Sequence, residues 1–317
     1  MMGLFSMLFG VGIMIFLDNA RKKTSKPKTL AIWRNFLLLC FGLLHYSIWI
    51  GDVLAPYAIC AFLLILFPDV KKPILILLAI VFLMIAFIVI TNYFSSLYDT
   101  NGNLISQEEW VLLASEGGEL SYGSIWFPDS EAPGNIIGMW WFIGAFFRAI
   151  TLMLLGILLY KLNIIQGNKD ISFYKIISIY GFSIGLPLSI YSIYLLVSSG
   201  YDPSVLFISN IFNTLSVIPM VLGYTGVLTI LNLKLRDSIT DRLRACGRLA
   251  FSNYIVQTIF GVFLLGAFGL DTFSRSQLMI FVFIVWVIQI TWSKPILDRF
   301  NFGPLEWLWR KLTYRFI

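Results

Sequence analysis

The chain has 317 residues, of which 58% are hydrophobic and only 13% charged, and its mean hydropathy is +0.84. A water-soluble domain carries roughly 25% charged residues, so this composition excludes a soluble globular protein and points to a chain that lives in a bilayer. The formal net charge of +6 calls for no nucleic-acid partner, because inside-positive loops held by anionic lipid head groups account for it.

A membrane-crossing helix needs roughly 20 mostly apolar residues, with about 17 as the lower limit. In chain order the apolar runs fall at 1–17, 35–51, 53–67, 73–91, 136–160, 172–197, 204–232, 249–268 and 277–293, which predicts an all-α bundle of about nine transmembrane helices. The third is short and has room to end early at Pro68. The first loop holds Arg21, Lys22, Lys23, Lys26, Lys28 and Arg34, the third Lys71 and Lys72, and the fifth Lys161, Lys169 and Lys175. Further on, the same side receives Lys234, Arg236, Arg242, Arg244 and Arg248, and then Lys294, Arg299, Arg310, Lys311 and Arg315. These alternate segments hold all but two of the 23 Lys and Arg. Basic loops stay cytoplasmic, so the expected orientation is N-terminus outside and C-terminus inside. The exceptions are Arg275, in an outer loop, and Arg148, inside the fifth span. The chain reads as one integral membrane domain over 1–317, with an outer loop at 92–135 and a cytoplasmic interfacial tail at 298–317.

The outer loop has no Lys or Arg but contains Asp99, Glu108, Glu109, Glu116, Glu119, Asp129 and Glu131. Within it Ser106-Gln107-Glu108-Glu109 fits a capping box ahead of a short helix, followed by Tyr122, Trp126 and Phe127. This pattern suits either a lid over a cleft or an aromatic anchor at the head groups. In the tail, Pro304 suits the first turn of a helix. Leu305, Leu308, Trp309 and Leu312 form its apolar face, and Glu306, Arg310, Lys311 and Arg315 its polar side, as expected for a helix on the cytoplasmic surface. Cys40, Cys60 and Cys246 all avoid the outer loops, so no structural disulfide is expected.

Ionisable groups in a span are costly and usually face a cavity or a partner. Arg148 lies near the middle of its span and suits an anionic group of a ligand, or equally helix-end carbonyls or a buried acid. His45, the single histidine, lies six residues before Gly51-Asp52, roughly 9 Å below the outer end of its run. Imidazole titrates near neutrality, so His45 is a candidate general base or nucleophile, or a hydrogen-bonded packing residue. Asp52 is placed to cap the next helix; with Tyr57 it shares the outer half with His45, so the expected catalytic pair is His45 and Asp52. Arg148, Tyr57, Asn253, Tyr254 and Gln257 are the expected substrate-binding residues. Asn253 and Gln257 share one face of the eighth span, where bonds between helices are the other reading. Gly181 and Gly185 form a GxxxG spacing that predicts close helix packing. One histidine and three scattered cysteines do not make a zinc site, and no Gly-rich phosphate loop, nucleophile elbow or redox Cys pair is present. No cofactor can be named from these residues.

Several stretches carry a family resemblance: Leu4-Phe5-Ser6-Met7-Leu8-Phe9-Gly10-Val11-Gly12, Gly42-Leu43-Leu44-His45 leading to Gly51-Asp52-Val53-Leu54 and Tyr57-Ala58, Met153-Leu154-Leu155-Gly156, Gly247-Arg248-Leu249-Ala250 with Asn253-Tyr254, and Phe302-Gly303-Pro304-Leu305-Glu306-Trp307-Leu308-Trp309-Arg310. In these the chain resembles the bacterial YeiB-like membrane proteins, which carry domain of unknown function 418. The resemblance implies a multi-pass protein of the bacterial cytoplasmic membrane. It also implies a distant grouping, by fold, with transmembrane acyltransferases that move an acyl group from a donor such as acetyl-CoA to a sugar on the far side. Relatives begin with one more helix bearing an Arg-Gly element, so this chain is expected to lack a helix they possess. In the lysosomal member of the wider group the histidine linked to acyl transfer lies in that stretch, and it does not carry over to His45. The expected function is acyl transfer to an envelope carbohydrate or lipid at the outer face. The alternatives are a transporter or channel for a small amphiphile or anion, and a non-catalytic subunit. Membrane lipids, an envelope glycan or lipid substrate and a second copy of the chain are the expected partners.

Overall fold

The structure, a computed structural model, describes residues 2–49, 51–66, 69–95, 133–200, 203–235, 237–265 and 273–315. Among them every regular element is helical: α1 (Met2–Arg21), α2 (Pro27–Tyr46), α3 (Leu54–Leu64), α4 (Lys72–Ser95), α5 (Pro133–Lys161), α6 (Ile171–Ser198), α7 (Pro203–Lys234), α8 (Asp237–Arg248), α9 (Ala250–Ile259), running on into a π-helical turn at Phe260–Leu265, α10 (Arg275–Phe300) and α11 (Pro304–Thr313). Among the described residues six stretches are long and apolar enough to cross a membrane: Met2–Arg21, Pro27–Tyr46, Ile143–Lys161, Ile171–Ser198, Ile208–Lys234 and Ser276–Phe300. Leu54–Leu64 and Ile74–Ala86 are apolar but shorter. The protein is an all-α, multi-pass membrane protein.

Several boundaries differ from those read off hydropathy. The second run, placed at 35–51, folds as Pro27–Tyr46, because proline opens a helix eight residues earlier and Ser47 ends it by donating to the Leu44 carbonyl, 2.7 Å. His45 therefore sits in the last turn rather than well below the end. The basic segment 234–248 contains helix α8, whose polarity hid it from a hydropathy reading; Thr240 and Ala245 form its buried side. The capping box at 106–109 and the aromatics after it lie outside the described residues.

The helices form two compact units. One comprises Met1–Asn19 and Cys60–Ile230, the other Ala20–Ile59 and Leu231–Ile317. In the first, Met7, Leu152, Leu159, Ile164, Tyr174 and Val221 make a buried cluster joining α1, α5, α6 and α7. Glycines let the backbones meet there. A Cβ on Gly10 would lie 2.1 Å from the Met153 carbonyl oxygen, and one on Gly156 would lie 2.0 Å from that of Met7. The α1–α5 crossing is thus closed reciprocally by two glycines, in the packing mode by which membrane helices associate without a hydrophobic drive. Gly181 likewise faces Gly223 and the Pro219 carbonyl, and Gly185 faces Met220, so the GxxxG face of α6 seats α7. Ser192 and Ser209 add reciprocal hydroxyl-to-carbonyl bonds of 2.9 and 3.0 Å between the same helices.

In the second unit α8 packs on α10 through Ala245, Leu249 and Leu297. Helices α9 and α11 cap one another. Glu306 accepts from the Ser252 backbone N–H at 2.9 Å and from its hydroxyl, while Ser252 Oγ accepts from the Leu305 N–H at 3.2 Å. Each helix start thereby receives an acceptor from its neighbour's first turn. This corrects the placement of Glu306 on the solvent side of the tail helix: the carboxylate satisfies donors that would otherwise be orphaned. Gly303 leaves the room, since a Cβ there would collide with the Glu306 carboxylate. Trp309 donates to the Arg34 carbonyl at 2.9 Å and lies under the Arg34 guanidinium at 4.0 Å, and Trp33 donates to the Leu312 carbonyl at 3.1 Å. These contacts fix α11 against α2.

Candidate functional site

The second unit holds a cluster of ionisable and hydroxyl groups whose construction begins with a glycine. A Cβ on Gly42 would lie 2.4 Å from the Ala55 backbone nitrogen, so α2 and α3 touch at that pair. Asn35 Nδ2, two turns earlier on α2, donates to the Ala58 carbonyl at 2.7 Å and fixes the register. Three residues on from Gly42 is His45, and three back from Ala55 is Asp52. The antiparallel arrangement therefore brings those two side chains together.

His45 Nδ1 lies 2.7 Å from Asp52 Oδ1. Asp52 Oδ2 accepts from the Ala55 N–H at 2.8 Å, which is a helix N-cap bond. Tyr254 on α9 donates its hydroxyl to Asp52 Oδ1 at 3.2 Å, and the Val53 N–H donates to the Tyr254 oxygen at 3.4 Å. The Tyr254 and His45 rings lie 5.0 Å apart. Asp52 thus acts as an acceptor toward three groups at the positive end of α3. That makes Nδ1 of His45 the donor, and in the neutral ring Nε2 is then the acceptor. Nε2 is 2.9 Å from Thr258 Oγ1, one turn beyond Tyr254. The order Asp52, His45, Thr258 is that of an orienting acid, a base and a hydroxyl. His45 and Asp52 are only 3% and 6% exposed, whereas Thr258 is half-buried, so the hydroxyl end of the chain is the one nearer the surroundings.

A second polar stripe runs along the same helix one residue out of step. Gln257 donates to Gln289 Oε1 on α10 at 2.8 Å, and Gln289 Nε2 donates to the Asn253 backbone carbonyl at 2.9 Å. Asn253 Nδ2 donates to Ser293 Oγ at 3.2 Å, and Trp292 Nε1 donates to Asn253 Oδ1 at 3.0 Å. These amides tie α9 to α10.

Of the residues singled out from sequence, His45, Asp52 and Tyr254 share one cluster. Asn253 and Gln257 belong to the neighbouring stripe. Tyr57 is buried in the first turn of α3. Arg148 belongs to the other unit, half-buried on α5. Sequence reading missed Thr258, Gln289 and Ser293. A threonine in an apolar helix is too ordinary to stand out, but Thr258 follows Tyr254 by four residues, and that spacing was the available signal.

An all-helical, multi-pass chain with a buried histidine–carboxylate pair and no soluble domain among its described residues belongs with integral membrane proteins. Residues 159–316 match the family described as "Protein of unknown function (DUF418)". Over 98% of this chain it is 27% identical to the uncharacterised protein YxaH of Bacillus subtilis (strain 168), covering 78% of that protein. Over the same share it is 26% identical to the uncharacterised protein YeiB of Escherichia coli (strain K12), covering 81% of it. A 39.9 kDa protein encoded in the amylase 3' region of Bacillus acidopullulyticus is 25% identical over 98% of the chain and 79% of its own length. The chain belongs to the YeiB-like DUF418 family. No solved structure matches it.

Proposed function

We propose that this protein is a transmembrane acyltransferase of the bacterial cytoplasmic membrane, modifying an envelope carbohydrate or lipid at the outer face, with His45 as its general base. The observation that carries this reading is the His45 imidazole held between Asp52 and a hydroxyl. Asp52 fixes the ring through Nδ1 and stabilises the imidazolium that forms when Nε2 takes a proton. Low exposure of the pair excludes water, which strengthens that interaction. Acyl transfer needs this: the incoming hydroxyl must lose a proton as it attacks, and the departing thiol of an acyl-CoA donor must gain one. A base of this kind contributes roughly 10²–10⁴-fold. The alternate basic loops support an outer position for this end of α2, and a reporter fused after the last residue should be active only in its cytoplasmic form.

The test uses the full chain in lipid nanodiscs with acetyl-CoA, alone and with a glycosyl diacylglycerol acceptor, and measures release of free CoA. Wild-type protein should release CoA, faster with the acceptor. His45→Ala should lose at least about 100-fold of that rate per folded molecule, beside the loss of stability that leaving Asp52 unpaired brings. No CoA release by the wild type, or unchanged release by His45→Ala, would overturn the reading.

A further inference from the structure

We propose that Thr258 carries the acyl group, so that transfer passes through a covalent ester on this chain. This rests on the acyl-transfer reading above and adds the nucleophile to it.

The first support is the direction of the Thr258 hydroxyl. A threonine inside a helix ordinarily donates to the carbonyl four residues back. Thr225 does so at 2.7 Å, Thr229 at 2.8 Å, Thr313 at 2.7 Å and Thr151 at 3.0 Å. Thr258 is 3.5 Å from its corresponding carbonyl, that of Tyr254, and 2.9 Å from His45 Nε2. Hydrogen bonds weaken steeply toward that longer separation, so the proton belongs on the line to the imidazole. The second support is exposure: Thr258 is the half-buried member of a chain whose other two members are enclosed, so an acyl carbonyl approaching His45 Nε2 meets the Thr258 oxygen. The third is the backbone. The α-helix gives way to a π-helical turn at Phe260, two residues on, and such turns occur frequently at functional sites.

The chemistry balances without any further reagent. Thr258 Oγ1 attacks the thioester carbon as its proton passes to His45 Nε2. The carbon–sulfur bond breaks, and the thiolate leaves with that proton as a free thiol. An acceptor hydroxyl then gives its proton to His45 and attacks the ester carbon. The carbon–Oγ1 bond breaks, and Oγ1 recovers its proton from His45. Asp52 is a positioning residue in both halves.

The experiment incubates nanodisc-embedded full chain with acetyl-CoA in the absence of acceptor, quenches it in acid, and maps the acetyl group by peptide mass spectrometry. CoA release is followed in parallel for wild type, Thr258→Ser and Thr258→Val. The expected result is one acetyl group on Thr258 in the wild type, with a burst of CoA stoichiometric with protein. Thr258→Ser should carry the same adduct and keep CoA release within about tenfold. Thr258→Val, which preserves the side-chain shape, should melt like the wild type and lose the adduct, the burst and about 100-fold of the rate. Thr258→Val releasing CoA at the wild-type rate, or an acetyl group trapped on His45 instead, would overturn the Thr258 assignment while leaving acyl transfer standing. A wild type that releases no CoA would overturn both.

Discussion

Helix α9 carries two polar stripes side by side, and they differ in kind. Asn253 and Gln257 face α10 and meet amides, a hydroxyl and an indole, in a network where the bonded groups are neutral. Tyr254 and Thr258, one position on in each turn, meet the histidine–aspartate pair between α2 and α3. Membrane helices use neutral amides and hydroxyls as glue, at about 1–2 kcal/mol per bond at most. An ionisable pair in the same low-dielectric setting is a poor source of stability, because desolvation consumes most of the attraction. The first stripe is explained by holding two helices together; the second calls for another reason to exist, and proton transfer supplies one.

The largest effect should come from cutting the second stripe at its carboxylate. Asp52→Ala removes the acceptor for His45 Nδ1, for the Tyr254 hydroxyl and for the Ala55 N–H, the last being the N-cap bond of α3. Removing one partner of a buried pair costs about 3–5 kcal/mol. The unfolding transition of the nanodisc-embedded protein should fall accordingly, and activity should vanish with it. Asp52→Asn keeps an acceptor for the cap, so it should recover most of the stability and little of the activity. Equal losses of stability in the two variants would reduce Asp52 to a charge-bearing structural residue.

Cutting the first stripe should do the reverse. Gln289→Leu strands Gln257 Nε2 and the Asn253 carbonyl, and should cost about 1–2 kcal/mol with CoA release unchanged per folded molecule. If it silenced the protein as His45→Ala is expected to, the two stripes would be one functional unit.

The same contrast marks what the sequence discloses. Apolar runs announce membrane helices because lipid leaves the backbone little alternative, and among the described residues each run overlaps a helix; boundaries slip where charged residues extend a helix past its apolar part, as in α2. His45 and Asp52 stand out because ionisable groups in spans are expensive, and their seven-residue separation hints at a hairpin contact. What brings them together, the Gly42–Ala55 approach, is not legible, since glycines abound in membrane helices. Thr258 is nearly hidden for a related reason: the residue type carries no signal, its spacing from Tyr254 is the one hint in the sequence, and the orientation of its hydroxyl sets it apart from Thr225 or Thr313 in the structure. Helix α8 is hidden by its polarity, and Glu306 by an amphipathic pattern that assigns it to solvent.

The smallest effect concerns Glu306, which lies away from both stripes but at the start of the helix that bears them. Its carboxylate caps α9 from outside, while Ser252 caps α11 in return. A lost N-cap costs about 1 kcal/mol, so Glu306→Ala and Ser252→Ala should each lower stability by roughly that much. Because the two residues bond directly, the double variant should lose less than the sum of the singles, and a double-mutant cycle in nanodiscs measures the shortfall. CoA release should persist in all three variants, because the cap lies at the opposite end of α9 from Thr258. Additive losses would mean that α9 and α11 are capped independently by solvent or lipid head groups. A loss of activity without a loss of stability would mean that the angle of α9, set at its first turn, is felt by the hydroxyl two turns along.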